Sequence, residues 1–154
     1  GEIEGVSYFF KTHEEFEKMI EEDKFLEYAK VHDNYYGTPK EFVEEKINEG
    51  KIVILEIDVQ GALNVKKNID NGVYIFLAPP SLSELKNRIV NRGTETESDI
   101  NLRMSNAKKE LSYIKNYDYL VVNDHLNSAI NLVNEIINAE KHRVIREDIN
   151  FDKE

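Results

Sequence analysis

Three short runs of β-branched and leucine residues, Ile52 to Ile57, Val73 to Leu77 and Tyr119 to Val122, recur along the chain with amphipathic helical stretches between them. This alternation constrains the fold more than any other feature. Continuous apolar runs suit strands buried on both faces of a parallel sheet, and parallel strands need helical crossovers to join them. The rhythm therefore predicts an α/β fold with the first two runs at the centre of the sheet.

The helices are marked by their ends. Thr12 with Glu15 makes a capping-box pattern ahead of the apolar face of Phe16, Met19 and Ile20, and Ser81 with Glu84 makes a second one after Pro79-Pro80 for a helix running through Val90. Pro39 precedes a helix over Lys40 to Asn48 that Gly50 ends. Asp99 to Tyr113 reads as a further helix, and Ser128 to about Arg146 as a terminal one with Ile130, Val133, Ile136 and Ile137 on one face. Ser7 to Phe10 is aromatic and extended, Phe25 to Val31 is strand-like, and Tyr35-Tyr36-Gly37-Thr38 reads as a turn.

A chain of 154 residues is long enough for one ordinary core. Its 30 acidic and 20 basic residues leave a net charge of −10, which opposes general binding to nucleic acid or to an anionic membrane. Zero cysteines exclude thiolate metal sites and cysteine nucleophiles, and fit a reducing compartment. No stretch approaches the roughly 18 apolar residues of a membrane helix, so a cytoplasmic location is expected. The four histidines show no metal-ligand spacing, and no histidine metal site is predicted.

Several polar groups stand where open α/β sheets bind ligands, beyond the carboxyl ends of the strands. Glu56 and Asp58 are two apart, so both side chains leave one face of a strand end. They suit either a hydrated magnesium ion and a ligand's hydroxyl or amino groups, or plain solvation. Arg88 and Arg92 share a helix face, and with Arg103 they flank the polar loop Gly93-Thr94-Glu95-Thr96-Glu97. Three guanidiniums suit a triphosphate, and equally suit ion pairs with Glu84, Glu95 or Asp99.

Tyr8 and Tyr36 offer uncharged phenols that can bond a monophosphate. Glu27 lies between Leu26 and Tyr28 in an apolar strand; it either faces water or accepts adjacent N–H donors such as those of guanine. Asn123-Asp124-His125 follows the last strand, where it lines the ligand crevice or serves as a turn and helix cap.

In order, the segments Tyr-Phe-Phe, Phe-Leu-Glu-Tyr-Ala, Asn-Tyr-Tyr-Gly-Thr, Leu-Glu-Ile-Asp-Val-Gln-Gly-Ala, Ala-Pro-Pro-Ser, Arg-Gly-Thr-Glu and Val-Val-Asn-Asp resemble bacterial-type guanylate kinase over nearly the whole chain. The resemblance implies a P-loop nucleoside-monophosphate-kinase-like parallel sheet with helices on both faces, a small mixed GMP-binding subdomain at about 5–39, a core at about 40–92 and 104–146, and a lid at about 93–103. It implies phosphoryl transfer from ATP to GMP, giving ADP and GDP, with Mg²⁺. Glu27 and Thr38 would read the guanine with Asp58 nearby, and Tyr8 and Tyr36 would hold the GMP phosphate. Glu56 would order the acceptor nucleotide or metal-bound water. Arg88, Arg92 and Arg103 would contact the transferring phosphates, and Asn123 would lie near the adenine of ATP.

The family pattern opens with a strand and a G-x-x-x-x-G-K-[ST] phosphate cradle, and neither occurs among these residues. The expectation that follows is an inactive fragment of a full kinase. Two alternatives belong to other classes: an interaction module that keeps the acceptor-site shape, and a domain that senses GMP without phosphorylating it.

Overall fold

A computed structural model describes residues 1–31, 33–147 and 151. Two compact units follow each other along the chain, Gly1–Gly72 and Val73–Glu154.

In the first unit, Ser7 belongs to a turn and only Tyr8 of the predicted extended run forms a bridge, to Glu4. Gly5, at φ 73°, supplies the left-handed residue that the turn needs, and its N–H reaches Tyr8 O at 2.7 Å. Helix α1 (His13–Glu21) starts with both halves of the predicted capping box: Glu15 N–H donates to Thr12 Oγ1 at 3.1 Å, and Thr12 N–H to the Glu15 carboxylate at 2.7 Å. Its buried Phe16 stacks on Phe25 at 4.4 Å and on Tyr35 at 5.1 Å between ring centroids, and offset aromatic stacking adds to plain area burial.

Strand β1 (Phe25–Val31) has the predicted bounds. Residues 35–38, predicted as a turn, are instead most of strand β2 (Asn34–Pro39), antiparallel to β1 with Glu27 opposite Thr38 and Tyr28 opposite Gly37. The turn signal of glycine and asparagine was real but displaced, since Asp33 at φ 64° carries the left-handed conformation just before Asn34. Gly37 is there for room: a Cβ at that position would stand 2.8 Å from the Phe25 ring and 3.1 Å from Phe16. Helix α2 (Lys40–Asn48) follows Pro39 as predicted.

Ile52 to Ile57 forms no strand. Its side chains still alternate, with Val53, Leu55 and Ile57 half-buried and Ile52 and Ile54 exposed at 53% and 70%. The composition favours extension, but a strand is defined by its ladder, and among the described residues no other strand pairs with this run. Helix α3 (Val59–Asn68) follows, which the sequence reading missed. Val59, Ala62 and Val65 bury one face of it, and the helix packs on β1.

The second unit is built on strands β3 (Ile75–Ala78) and β4 (Tyr119–Val122), parallel and in register from Ile75 opposite Tyr119 to Ala78 opposite Val122. Asp118 fixes that register, its carboxylate accepting Tyr74 N–H at 2.8 Å while its own N–H donates to Tyr74 O at 2.8 Å. Burial on both faces was expected for these strands. Each face is covered only in part: Phe76 and Ala78 are buried on one and Val121 on the other, whereas Leu120 beside Phe76 and Leu77 beside Val121 are exposed at 52% and 58%.

Helix α4 (Leu82–Arg92) is capped by Ser81 Oγ, which accepts Glu84 N–H at 3.0 Å. Glu84 does not complete the predicted box, because its carboxylate accepts from Arg88 Nε at 3.0 Å. Gly93 ends the helix at φ 66°. Helix α5 (Glu97–Leu111) begins two residues before the predicted Asp99, since Thr96 and Asp99 form a reciprocal capping box that the reading passed over. Helix α6 (Leu126–Glu140) packs on β4 and stops before the predicted Arg146, the chain continuing into a 3-10 turn at Val144–Arg146.

Candidate nucleotide site

In the first unit, pairing of β1 with β2 sets Glu27 directly opposite Thr38. The Thr38 hydroxyl donates to Glu27 Oε1 at 2.8 Å in a partly buried position. One oxygen of the carboxylate is thus fixed by a neutral donor, which orients the group without cancelling its charge. The other oxygen points towards the start of α3, where Asp58 is the cap residue.

Asp58 Oδ1 accepts Gly61 N–H at 2.8 Å, the ordinary bond of an acidic helix cap. A Cβ on Gly61 would lie 3.1 Å from Asp58 Oδ1 and 3.1 Å from Glu27 Oε2. Two carboxylate oxygens from separate elements therefore stand against the same glycine. Such a pair suits a ligand edge with more than one N–H donor. Asp58 was predicted on a strand end beside Glu56; it is a helix cap, and Glu56 precedes it as an exposed side chain.

Tyr8 and Tyr36 meet edge to face at 5.8 Å between centroids, and both rings are half-exposed. Among the described residues neither phenol has a hydrogen-bond partner within the protein. Both hydroxyls are therefore available to one polar ligand group.

In the second unit the arginines are not equivalent. Arg88 is held on three sides: by Glu84, by Asn123 O at 2.9 Å from Nη1 and by Asp124 O at 3.3 Å from Nη2. It ties α4 to the segment after β4, and so fixes the backbone of Asn123, whose N–H donates to Ala78 O at 2.7 Å. Arg103 pairs with Glu95 at 2.7 Å. The second Glu95 oxygen is buried without a hydrogen-bond partner among the described residues, an arrangement that costs free energy wherever it occurs. Arg92, exposed at the end of α4, forms no ion pair among the described residues.

The ion-pair alternative for the arginines is thus realised for Arg88 with Glu84 and Arg103 with Glu95. Asp99 forms no arginine ion pair among the described residues; hydrogen bonds from Thr96, with a smaller contribution from the Arg103 charge, hold its carboxyl below the usual range. The sequence reading missed Gly61. The signal was present in Asp58-Val59-Gln60-Gly61, an acidic cap followed three residues on by a residue with no side chain.

Among the described residues no three His, Cys, Asp or Glu side chains converge as a cation-ligand group. No helix among them is long and apolar enough to cross a membrane.

Comparison with known proteins gives these groups a context. The family model described as guanylate kinase matches residues 1–140. The guanylate kinase of Caldanaerobacter subterraneus subsp. tengcongensis is 56% identical over 146 residues, covering 95% of this chain and 71% of the relative. That of Clostridium tetani is 54% identical, covering 100% of this chain and 75% of its own length. Among solved structures, the guanylate kinase from Anaplasma phagocytophilum superposes with a TM-score of 0.76 at 31% identity, over 96% of this chain and 72% of that one. The chain therefore belongs to the guanylate kinase family, and its function is guanylate kinase, a nucleoside monophosphate kinase.

Proposed function

We propose that the residues of Gly1–Gly72 take GMP as acceptor and those of Val73–Glu154 engage ATP, in the reaction ATP + GMP giving ADP + GDP. Residues 5–39 serve as the GMP-binding subdomain, 93–103 as the lid, and 40–92 with 104–146 as the core. The observation that carries the reading is the Thr38-to-Glu27 hydrogen bond of 2.8 Å, with Asp58 beside the free Glu27 oxygen. A carboxylate oriented by a neutral hydroxyl keeps its charge for the N–H donors of guanine. Tyr8 and Tyr36 take the phosphate of GMP as uncharged donors.

On the donor side, Arg92 and Arg103 stabilise charge on the transferring phosphoryl group. Arg88 acts at the same phosphates from a fixed position, and Asn123, whose backbone Arg88 anchors, lies at the adenine. Phosphoryl transfer needs little covalent chemistry from the protein, so positioning and charge stabilisation carry the rate. Mg²⁺, when bound, would supply positive charge that offsets the negative charge of the phosphates. The residues fit that role, because magnesium in such sites keeps its waters and takes few protein ligands. Glu56, an exposed carboxylate, would order those waters. With a cysteine-free chain, a reducing cytoplasm is the compartment we infer.

The test is calorimetric titration of GMP into this chain and into Glu27→Gln. Binding is expected for the parent and loss of at least tenfold in affinity for the variant, the cost of about 1.5 kcal/mol or more for a charged hydrogen bond. Equal affinities would reject the site.

A further inference from the structure

We propose that Gly61 is a specificity-determining residue: the missing side chain at this position lets the carboxylates of Glu27 and Asp58 stand close enough to engage two adjacent N–H donors of one purine base. The proposal rests on the acceptor-site reading above.

Three observations carry it. The point where a Gly61 Cβ would sit is 3.1 Å from Glu27 Oε2 and 3.1 Å from Asp58 Oδ1, closer than carbon ordinarily approaches an oxygen. Neither oxygen retreats freely, since the first carboxylate is tethered by Thr38 at 2.8 Å and the second by the Gly61 N–H at 2.8 Å. Positive φ does not explain the glycine, because it lies in the first turn of α3 with ordinary helical geometry. A helix interior disfavours glycine relative to alanine, so its presence here calls for another reason, and the room it leaves between two carboxylates supplies one.

The chemistry then selects the ligand. Guanine presents a ring N1–H and an adjacent exocyclic amino group. Hypoxanthine keeps the N1–H and lacks the amino group, with the same ribose phosphate. A site with both carboxylates in place leaves one of them unanswered when the amino group is missing, and sites built around such donors reject the deficient analogue strongly. Alanine at position 61 pushes the two oxygens outwards by a few tenths of an ångström. Hydrogen bonds that depend on both carboxylates weaken, while contacts to the phosphate do not change.

The experiment is calorimetric titration of GMP and of IMP into the full chain and into Gly61→Ala, with thermal melting of each. The parent is expected to bind GMP in preference to IMP. Gly61→Ala is expected to lose roughly tenfold of that preference, mostly through weaker GMP binding, with a melting temperature equal to or above the parent's. An unchanged GMP-to-IMP ratio in a variant that still binds GMP overturns the proposal and leaves the acceptor site standing. A lowered melting temperature also overturns it, because the added carbon would then be strained against the fold and not taken up by small outward shifts of the two carboxylates. Failure of the parent to bind GMP rejects the acceptor site itself, and the proposal with it.

Discussion

Thr38 Oγ1 donates to Glu27 Oε1 across the β1–β2 pair, so the orientation of a charged group is set by the residue directly opposite it in the ladder. Cross-strand neighbours on one face lie close enough for a side-chain bond only at that register. A slip of one residue would turn Glu27 to the other face of the hairpin.

Thr38→Val removes the hydroxyl while keeping a β-branched side chain suited to a strand. The expected result is GMP binding weakened about tenfold, corresponding to the loss of one orienting hydrogen bond of roughly 1–1.5 kcal/mol, with the thermal transition little changed. Calorimetry and circular dichroism on the same preparation check both parts. A stable variant with unaltered affinity would show that Glu27 needs no help from Thr38.

Gly37→Ala tests the packing under the same hairpin. Its Cβ would stand 2.8 Å from the Phe25 ring, which is pinned against Phe16 at 4.4 Å. A ring stacked on its neighbour yields less than a chain end does, so overpacking by one methyl is expected to cost about 1–3 kcal/mol. Urea denaturation should show the loss as a lower midpoint. A midpoint equal to the parent's would mean that the aromatic cluster relaxes without cost.

How much of this was legible in the sequence depends on which force set each element. Caps are local, so Thr12 with Glu15 and Ser81 ahead of Glu84 placed two helix starts correctly. Long-range pairing is not local. Ile52 to Ile57 has the composition of a central strand, but no partner strand lies beside it among the described residues, and composition cannot supply one. Tyr35 to Thr38 read as a turn because glycine at 37 signals flexibility; the glycine instead makes room for Phe25. Candidate site residues other than Gly61 could be proposed from the sequence, but their partners were not fixed by it. Nothing local distinguishes Arg88, clamped by Glu84 and two carbonyls, from Arg92 four residues later on the same helix, which forms no ion pair among the described residues.

That difference between the two arginines gives the third prediction. Arg88→Ala leaves the Asn123 and Asp124 carbonyls without their guanidinium and Glu84 without its ion pair. It is expected to destabilise the chain by about 1–3 kcal/mol. Arg92→Ala removes an exposed side chain with no ion pair among the described residues and should stay within about 0.5 kcal/mol of the parent. Urea midpoints for the two variants decide the point. Equal stabilities would mean that the clamp around Arg88 contributes nothing.

Glu140, 7% exposed at the end of α6, accepts the Tyr119 hydroxyl at 2.7 Å and also faces Arg143 and Arg146. The Tyr119 hydrogen bond, then the two arginines, hold the Glu140 carboxyl below its ordinary 4.5. The same bond to a carboxylate raises the Tyr119 phenol above its ordinary 10.0. A lowered acid pKa contributes stability that is present above 4.5 and fades as pH falls through the folded value. A raised phenol pKa contributes stability that is present below 10.0 and fades as pH rises through the folded value. One hydrogen bond thus weakens at both ends of the scale. Tyr119→Phe is expected to lower the urea midpoint near neutrality, with the gap to the parent narrowing below pH 4.5 and again above pH 10.0. A gap that stays constant across that range would mean that the Tyr119–Glu140 bond contributes no pH-dependent stability.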